Sequence, residues 1–449
     1  MNTREICFDI LKRIEDEDAY VSDVLTPALR QLQFKEKRDR AFITRLVEGV
    51  TERKISLDYI IDKLSQSGKS GKKQKLRPDV RLILRMGIYQ IRYMDTVPDR
   101  AAISESVDLA KAKGYSGLAG YINAILRKVQ TICEENRFDS FLMSSLETRY
   151  STPKWLCEFL VNTYGKDTAK KILEDQFADH DTVIRCNLQK TTLEELSGML
   201  TSKGVTVNPA VICKDTSLRI TGYDMITRLP GYKEGYFTVQ DETSTYTVSR
   251  IGIKPGDYIL DLCAAPGGKS MFAYELACGE EKPGLVISRD VSERKIEKIR
   301  ENAERLGIPV SEGDIPAGIK LEIKDATLLD EDFANRSEDK KADVVIADVP
   351  CSGLGIIGRK NDIKYHASPE SMKELASIGL TILKNATYYI KESGMICYST
   401  CTINPGENRE VVDAFLKSIE GQDFKLLEEK TFLQGVDGFD GFYYAILGR

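Results

Sequence analysis

The stretch "DYILDLCAAPGGKS" (257–270) decides how this chain is read. An apolar run of strand length passes into a loop of small residues and opens toward a helix. Ala264, Ala265, Gly267 and Gly268 are small enough for backbone to approach a ligand closely, and the amides of a helix N-terminus lie beneath them. The spacing is neither the GxGxxG of dinucleotide binders nor the GxxxxGK[ST] of a phosphate loop. Four more strand-length apolar runs follow: "GLVISRD" (284–290), "LEIKDA" (321–326), "ADVVIADVP" (342–350) and "GMICYST" (394–400). Helical patterns lie between or after them, in "SERKIEKIRENAERLG", "SPESMKELASIGLTILKNATYYIKESG" and "GENREVVDAFLKSI". Strands alternating with helices predict βαβ units, a parallel sheet and right-handed crossovers. Ligands of such sheets bind beyond the carboxyl ends of the strands.

Every unusual cluster falls at such an end. Asp290 closes the second strand about twenty residues after the glycines, where an acid hydrogen-bonds ribose hydroxyls in doubly wound nucleotide-binding folds. Asp325 is read at the end of the third, within reach of an adenine amino group. A single Asp at a strand end is usually a helix cap. Glycines, Asp290 and Asp325 on three successive ends instead imply an adenosine-containing cofactor. "ADVPCSG" (347–353) and "YSTCTINP" (398–405) end the fourth and fifth strands, so Cys351 and Cys401 face one cleft. A lone Cys there is packing material, whereas two beside an adenosine pocket suggest thiolate chemistry.

Composition bounds the alternatives. With 449 residues the chain holds about two or three domains, and 42% apolar with 30% charged residues is ordinary for a globular protein. No apolar run approaches the length of a membrane helix, and the first twenty residues lack a signal peptide's apolar stretch, so a cytoplasmic protein is expected. The ten cysteines include no CxxC pair, and only His180 and His366 are available as imidazoles. A metal site is therefore not expected, no GxSxG is present, and a Ser–His–Asp mechanism would have to use one of those two histidines. The net charge is −5, yet Lys35–Arg92 carries sixteen Lys/Arg against seven Asp/Glu, with Tyr59, Tyr89 and Tyr93 interleaved. That excess, including the run "GKSGKKQKLRPDVR" (68–81), points modestly to a phosphate-contacting face.

Residues 1–135 read as helices only. "TREICFDILKRIEDE", "RDRAFITRLVEGVTERKISLDYIIDKL", "RPDVRLILRMGIYQIRYM", "AAISESVDLAKAKG" and "GLAGYINAILRKVQTI" carry apolar residues at three- and four-residue spacing, with Gly68, Gly71, Pro78, Pro98, Gly114 and Gly117 as breakers. They predict a helical bundle. Residues 136–234 mix strands ("DTVIRCNL", "VTVNP") with a helix ("TLEELSGMLTSKG"), a small α+β module. Residues 235–449 form the α/β part.

"DLCAAPGGKS", "ADVPCSGLGIIGRKNDIKY" and "YSTCTINPGENREVV" resemble the S-adenosylmethionine-dependent RNA cytosine-5 methyltransferases. The helical part resembles the NusB antitermination-factor domain. With "GYFTVQDETS" (235–244), the whole is similar to the Sun/Fmu (RsmB-type) branch that methylates bacterial 16S rRNA. The resemblance implies a NusB-like bundle, an RRM-like module and a Rossmann-like methyltransferase domain. It implies Cys401, in the TC motif, as nucleophile at carbon 6 of cytosine, and Cys351, in the PC motif, as the residue that assists release. Asp348 is implied as a contact to the cytosine ring nitrogen and amino group, and Lys269 as a further catalytic candidate. The implied cofactor contacts are Cys263, Ala264, Ala265, Pro266, Gly267, Gly268, Lys269, Asp290, Asp325 and Asp348, with S-adenosylmethionine (SAM) as cofactor and no metal. The implied partner is RNA, either 16S rRNA or a small-subunit assembly intermediate, held by a monomer with its base flipped out.

Three alternatives stand beside this reading. The same chemistry could act on tRNA or 23S rRNA, since substrate is read from domain architecture. A DNA cytosine methyltransferase would use the PC-motif Cys, and the second Cys at the TC position argues against it. A non-catalytic antitermination-type RNA binder would not need an intact loop, acids and both cysteines.

Overall fold

The computed structural model describes residues 2–32, 36–65, 76–279 and 281–449. It divides into two compact units, Met1–Gln176 with Lys360–His366, and Phe177–Arg359 with Ala367–Arg449.

The first unit is helical: Thr3–Glu17, Val21–Gln31, Lys37–Glu52, Lys54–Ser65, Pro78–Tyr93, Asp99–Ala112 and Ala119–Glu134. Asn2 opens the first helix with a capping box to Glu5, and Pro78 takes the first position of the fifth, where its missing N–H costs nothing. The stretch 38–64, read as one helix, is two helices that part at Arg53. Ile43, Leu46, Val47, Ile83, Leu84, Ile122 and Leu126 build the core that the helical spacing implied. Helices continue past residue 135, through Lys154–Tyr164 and Lys166–Asp175. Residues 68–75 of the basic run, with the breakers Gly68 and Gly71, lie outside the described residues. Lys360–His366 joins this unit through polar anchors. Asp362 accepts the Val21 amide, and the fully buried Lys364 donates to the Glu52 carbonyl at 2.9 Å and Gln176 Oε1 at 2.8 Å.

The second unit holds two sheets. The smaller contains β1 (Thr182–Cys186), β2 (Thr206–Pro209), β3 (Ser217–Thr221) and β4 (Phe237–Val239) in the order β2-β3-β1-β4, all antiparallel. Ile184, Leu218, Ile220 and Phe237 pack there on the helix Leu193–Thr201 through Leu196 and Leu200. The larger contains β5 (Tyr258–Asp261), β6 (Leu285–Asp290), β7 (Val310–Ser311), β8 (Gly318–Ile323), β9 (Ala342–Asp348), β10 (Ile390–Thr400), β11 (Lys425–Phe432) and β12 (Phe442–Gly448). Their order is β11-β12-β10-β9-β5-β6-β8-β7, parallel from β10 to β7, with β12 antiparallel to both β10 and β11. The chain runs outward from β5 to β6 and β8, then returns to β9 on the other side of β5. The order reverses between β5 and β9, and a crevice opens at such a point. The near-continuous apolar runs of β5, β6, β9 and β10 are those of strands covered on both faces.

Candidate functional site

The crevice beyond β5 and β9 is lined by Val239, Gln240, Asp241, Thr243 and Ser244, by Asp261 and the loop Cys263–Pro266 with Gly268 and Lys269, and by Asp348, Ile356, Cys401, Asp440 and Phe442. The loop after β5 is pinned to the end of β6 by two successive amides. Ala264 N donates to the Arg289 carbonyl at 2.8 Å, and Ala265 N donates to Asp290 Oδ2 at 3.0 Å. Gly267 starts the helix Gly268–Ala277 at φ +103°, where a Cβ would also lie 2.6 Å from Met271 Cε, so glycine is required.

Lys269 Nζ lies 2.6 Å from Asp348 Oδ2 and 5.1 Å from the centre of the Phe442 ring. Burial lowers the Lys269 pKa, but the charge and hydrogen bond of Asp348, with Asp261 and Cys401, outweigh it and leave the value raised. The group is a fixed cation at the cleft. Asp348 Oδ1 accepts Ser399 Oγ at 2.7 Å from the paired strand β10, which fixes the carboxylate from its other side. Asp261, 1% exposed, accepts Ser270 Oγ at 2.6 Å on one oxygen, while Oδ1 has no hydrogen-bond partner. Burial, reinforced by the Asp348 charge and opposed by the Ser270 hydrogen bond, raises its pKa to about 7.

Cys351 Sγ and Cys401 Sγ are 3.4 Å apart. Parallel pairing brings them together: Ser399 on β10 sits opposite Asp348 on β9, Cys351 follows the end of β9 by three residues, and Cys401 directly follows the end of β10. Gly355 N donates to the Cys401 carbonyl at 3.0 Å, and Gly441 N to the Gly355 carbonyl at 2.7 Å. A Cβ on Gly355 would overlap the Gly441 carbonyl, so the PC loop, the TC loop and the approach to β12 are stacked backbone on backbone. That stacking carries Asp440 and Phe442 to the cleft wall. Cys401 lines the cleft and Cys351 does not.

The structure therefore gathers Cys263, Ala264, Ala265, Pro266, Gly268, Lys269, Asp348 and Cys401 at one crevice, with Gly267 beneath and Cys351 behind. Asp290 is 3% exposed and already engaged by the Ala265 and Val291 amides and by Lys295 at 2.9 Å, so it braces the loop. Asp325 lies two residues past the end of β8, not at the strand end, and accepts from Thr327 N and Oγ1. It lines a separate cavity with Leu262, Ala326, Leu328 and Tyr389. Sequence reasoning missed Asp261, whose signal was a charged residue closing an apolar strand. It also assigned no role to Gln240, Asp241, Thr243 or Ser244, although they stand in the stretch 235–244. Asp440 and Phe442 gave no signal. Among the described residues no His/Cys/Asp/Glu group could hold a metal, and no helix is long and apolar enough to cross a membrane.

An adenosine-bearing sulfonium cofactor fits the donor set. The small-residue loop permits close approach, Asp261 lines the cleft with a carboxylate oxygen still unpartnered to match an ammonium group, and the Asp325 cavity sets Leu262, Ala326, Leu328 and Tyr389 beside the charged Arg289, Lys324 and Asp330.

Comparison with known proteins gives three family matches. Residues 249–447 match the family described as 16S rRNA methyltransferase RsmB/F, residues 1–131 the NusB family, and residues 152–223 the RsmF/B-like ferredoxin-like domain. The Bacillus subtilis probable ribosomal RNA small subunit methyltransferase B is 33% identical over 94% of this chain and 90% of its own length. The Synechocystis sp. protein of the same name is 34% identical over the same shares. The solved structure of PH0851 superposes with a TM-score of 0.78 at 21% identity, covering 100% of this chain and 99% of that one, a likeness of fold.

Proposed function

The chain belongs to the RsmB/F family of 16S rRNA methyltransferases, a SAM-dependent family, and from that premise we propose that it methylates carbon 5 of a cytosine in 16S rRNA through a covalent bond between Cys401 and carbon 6. The observation that carries this reading is the placing of the two thiols. Cys401 opens on the cleft beside Lys269 and Asp348, and Cys351 stands 3.4 Å behind it.

Carbon 5 of cytosine is a poor nucleophile. Addition of the Cys401 thiolate to carbon 6 breaks the 5,6 double bond and moves its electron pair toward carbon 5 and the ring. SAM, when bound, supplies an electrophilic methyl group; the loop Cys263–Lys269, braced by Asp290, would hold it, with Asp261 at its ammonium and the Asp325 cavity at its base. The Lys269 ammonium favours the thiolate over the thiol at Cys401. Asp348 keeps free lone pairs beyond its bonds to Lys269 and Ser399, and these would accept from the cytosine amino group and protonated ring nitrogen. Loss of the carbon 5 proton then restores the double bond and expels Cys401, a step we assign Cys351 to assist. The base must leave its stack to reach a thiol at the cleft wall, and the helical unit and small sheet would hold the surrounding RNA.

The test has two arms. Cys401→Ala is expected to abolish methyl transfer, while Cys351→Ala accumulates an RNA–protein adduct that survives denaturing electrophoresis. Normal release by the second variant together with activity in the first refutes the chemistry. Bisulfite mapping of rRNA and tRNA from cells with and without the gene should lose a 5-methylcytosine in 16S rRNA; a loss confined to tRNA refutes the substrate alone.

A further inference from the structure

Glu407, six residues beyond Cys401, is 1% exposed and touches neither the cleft nor its loop. Its Oε1 accepts Ser352 N at 2.7 Å, and its Oε2 accepts Ser352 Oγ at 2.6 Å and Asn404 Nδ2 at 2.8 Å. Ser352 directly follows Cys351. Its hydroxyl also lies 2.8 Å from Thr402 Oγ1, which directly follows Cys401. One buried carboxyl thus ties together the neighbours of both thiols. Burial raises the Glu407 pKa, and hydrogen bonds from Ser352, Asn404 and Thr402 oppose it; the amide N–H groups and hydroxyl that face the carboxyl are donors its ionised form accepts.

At 3.4 Å the two thiols form a hydrogen-bonded pair, and once the first proton is lost the second is shared between the sulfurs. Which sulfur keeps it depends on the charges around them, and these are unequal. The Lys269 ammonium acts on Cys401, partly offset by Asp348, whereas the Glu407 carboxylate acts on Cys351. We propose that Glu407 is a positioning residue that fixes the Cys351 loop against the Cys401 loop and keeps the shared proton on Cys351, leaving Cys401 as the thiolate. The proposal rests on the reading of Cys401 as nucleophile. The direction at Cys351 agrees: its thiol stands well above the ordinary value, through its hydrogen bond to Cys401, then burial, then the charges of Cys401 and Glu407. Glu407 thereby adds a charge at Cys351 to the opening of Cys401 on the cleft, and it does so without touching the base itself.

The test treats the full-length protein with limiting iodoacetamide at neutral pH and maps both cysteines by mass spectrometry, with SAM binding measured alongside. In the wild type Cys401 is alkylated first. In the near-isosteric Glu407→Gln the ratio of Cys351 to Cys401 product rises about tenfold, as the thiolate fraction does for a change of one in pKa. Ser352→Ala removes a tie but keeps the charge, and its ratio stays near that of the wild type. An unchanged ratio in Glu407→Gln, or an equal rise in Ser352→Ala, overturns the proposal. Should Glu407→Gln fail to bind SAM, Glu407→Asp keeps the charge on a shorter arm; it retains the Cys401-first order, and a reversed order overturns the proposal. Alkylation of the wild type at Cys351 first refutes instead the nucleophile assignment underneath.

Discussion

Replacing Asp261 by Asn should stabilise the protein and weaken its hold on SAM at the same time. Burial raises this carboxyl's pKa from 3.8 to about 7. A folded-state value above the unfolded one means the favourable contribution is complete below the unfolded pKa and is lost as pH rises through about 7. Above that point the folded protein carries an ionised carboxylate whose Oδ1 has no partner. At ~1.36 kcal/mol for each step of one in pKa, the whole effect has a ceiling of about 4 kcal/mol. The Asn carbonyl can still accept Ser270 Oγ, but its amide leaves a buried donor unpaired at a cost of about 1–3 kcal/mol, so a net gain of roughly 2 kcal/mol remains. Thermal unfolding at about pH 5 and about pH 8, without SAM, reads this out at roughly 2–4 °C per kcal/mol for a unit of this size. The wild type should lose stability between the two values relative to Asp261→Asn. Calorimetric titration with SAM should show the reverse, a roughly 10- to 100-fold weaker affinity in the variant, the cost of a lost charge-assisted hydrogen bond. Parallel pH dependences in the two proteins, or equal affinities, refute the reasoning.

Gly355→Ala places a Cβ into the Gly441 carbonyl and within 2.8 Å of the Cys401 carbonyl oxygen, so backbone on both sides must move. A destabilisation of about 2–3 kcal/mol in urea unfolding and a roughly 100-fold loss of methyl transfer are expected, because displacement of reacting groups by about 1 Å has that effect on rate; wild-type turnover would show that the stacking does not position Cys401. In the helical unit, burial lowers the Lys364 pKa to about 7. The folded state then binds fewer protons than the unfolded one between about 7 and 10.5, so stability rises with pH across that window. Lys364→Met should abolish that rise in melting temperature while removing the hydrogen bonds that Lys364 donates to the Glu52 carbonyl and Gln176 Oε1; an identical slope in both proteins would exclude the buried amine as its source.

The sequence by itself determined the elements and the residue types they carry. The alternation of apolar strands with amphipathic helices, the small-residue loop after β5, and a cysteine just past each of β9 and β10 are local patterns. Backbone sterics and side-chain period dictate such patterns over ten or twenty residues. The periodic helices of the first unit were legible for the same reason, apart from the break at Arg53, where the helical spacing continues while the helix does not. What only the tertiary structure decided is which ends meet. Reversal of strand order between β5 and β9 sets Asp261 and Lys269 beside Asp348, and parallel pairing of β9 with β10 brings together Cys351 and Cys401, fifty positions apart. The antiparallel return of β12 adds Asp440 and Phe442, whose neighbours in sequence suggest nothing of the kind. Strand pairing is a contest among distant segments, settled by burial and by close approaches such as Gly355 to Gly441, and no window of sequence contains it. The same holds for Glu407, read as one acid in a helix-forming stretch, whose partners lie on the loop of the other cysteine.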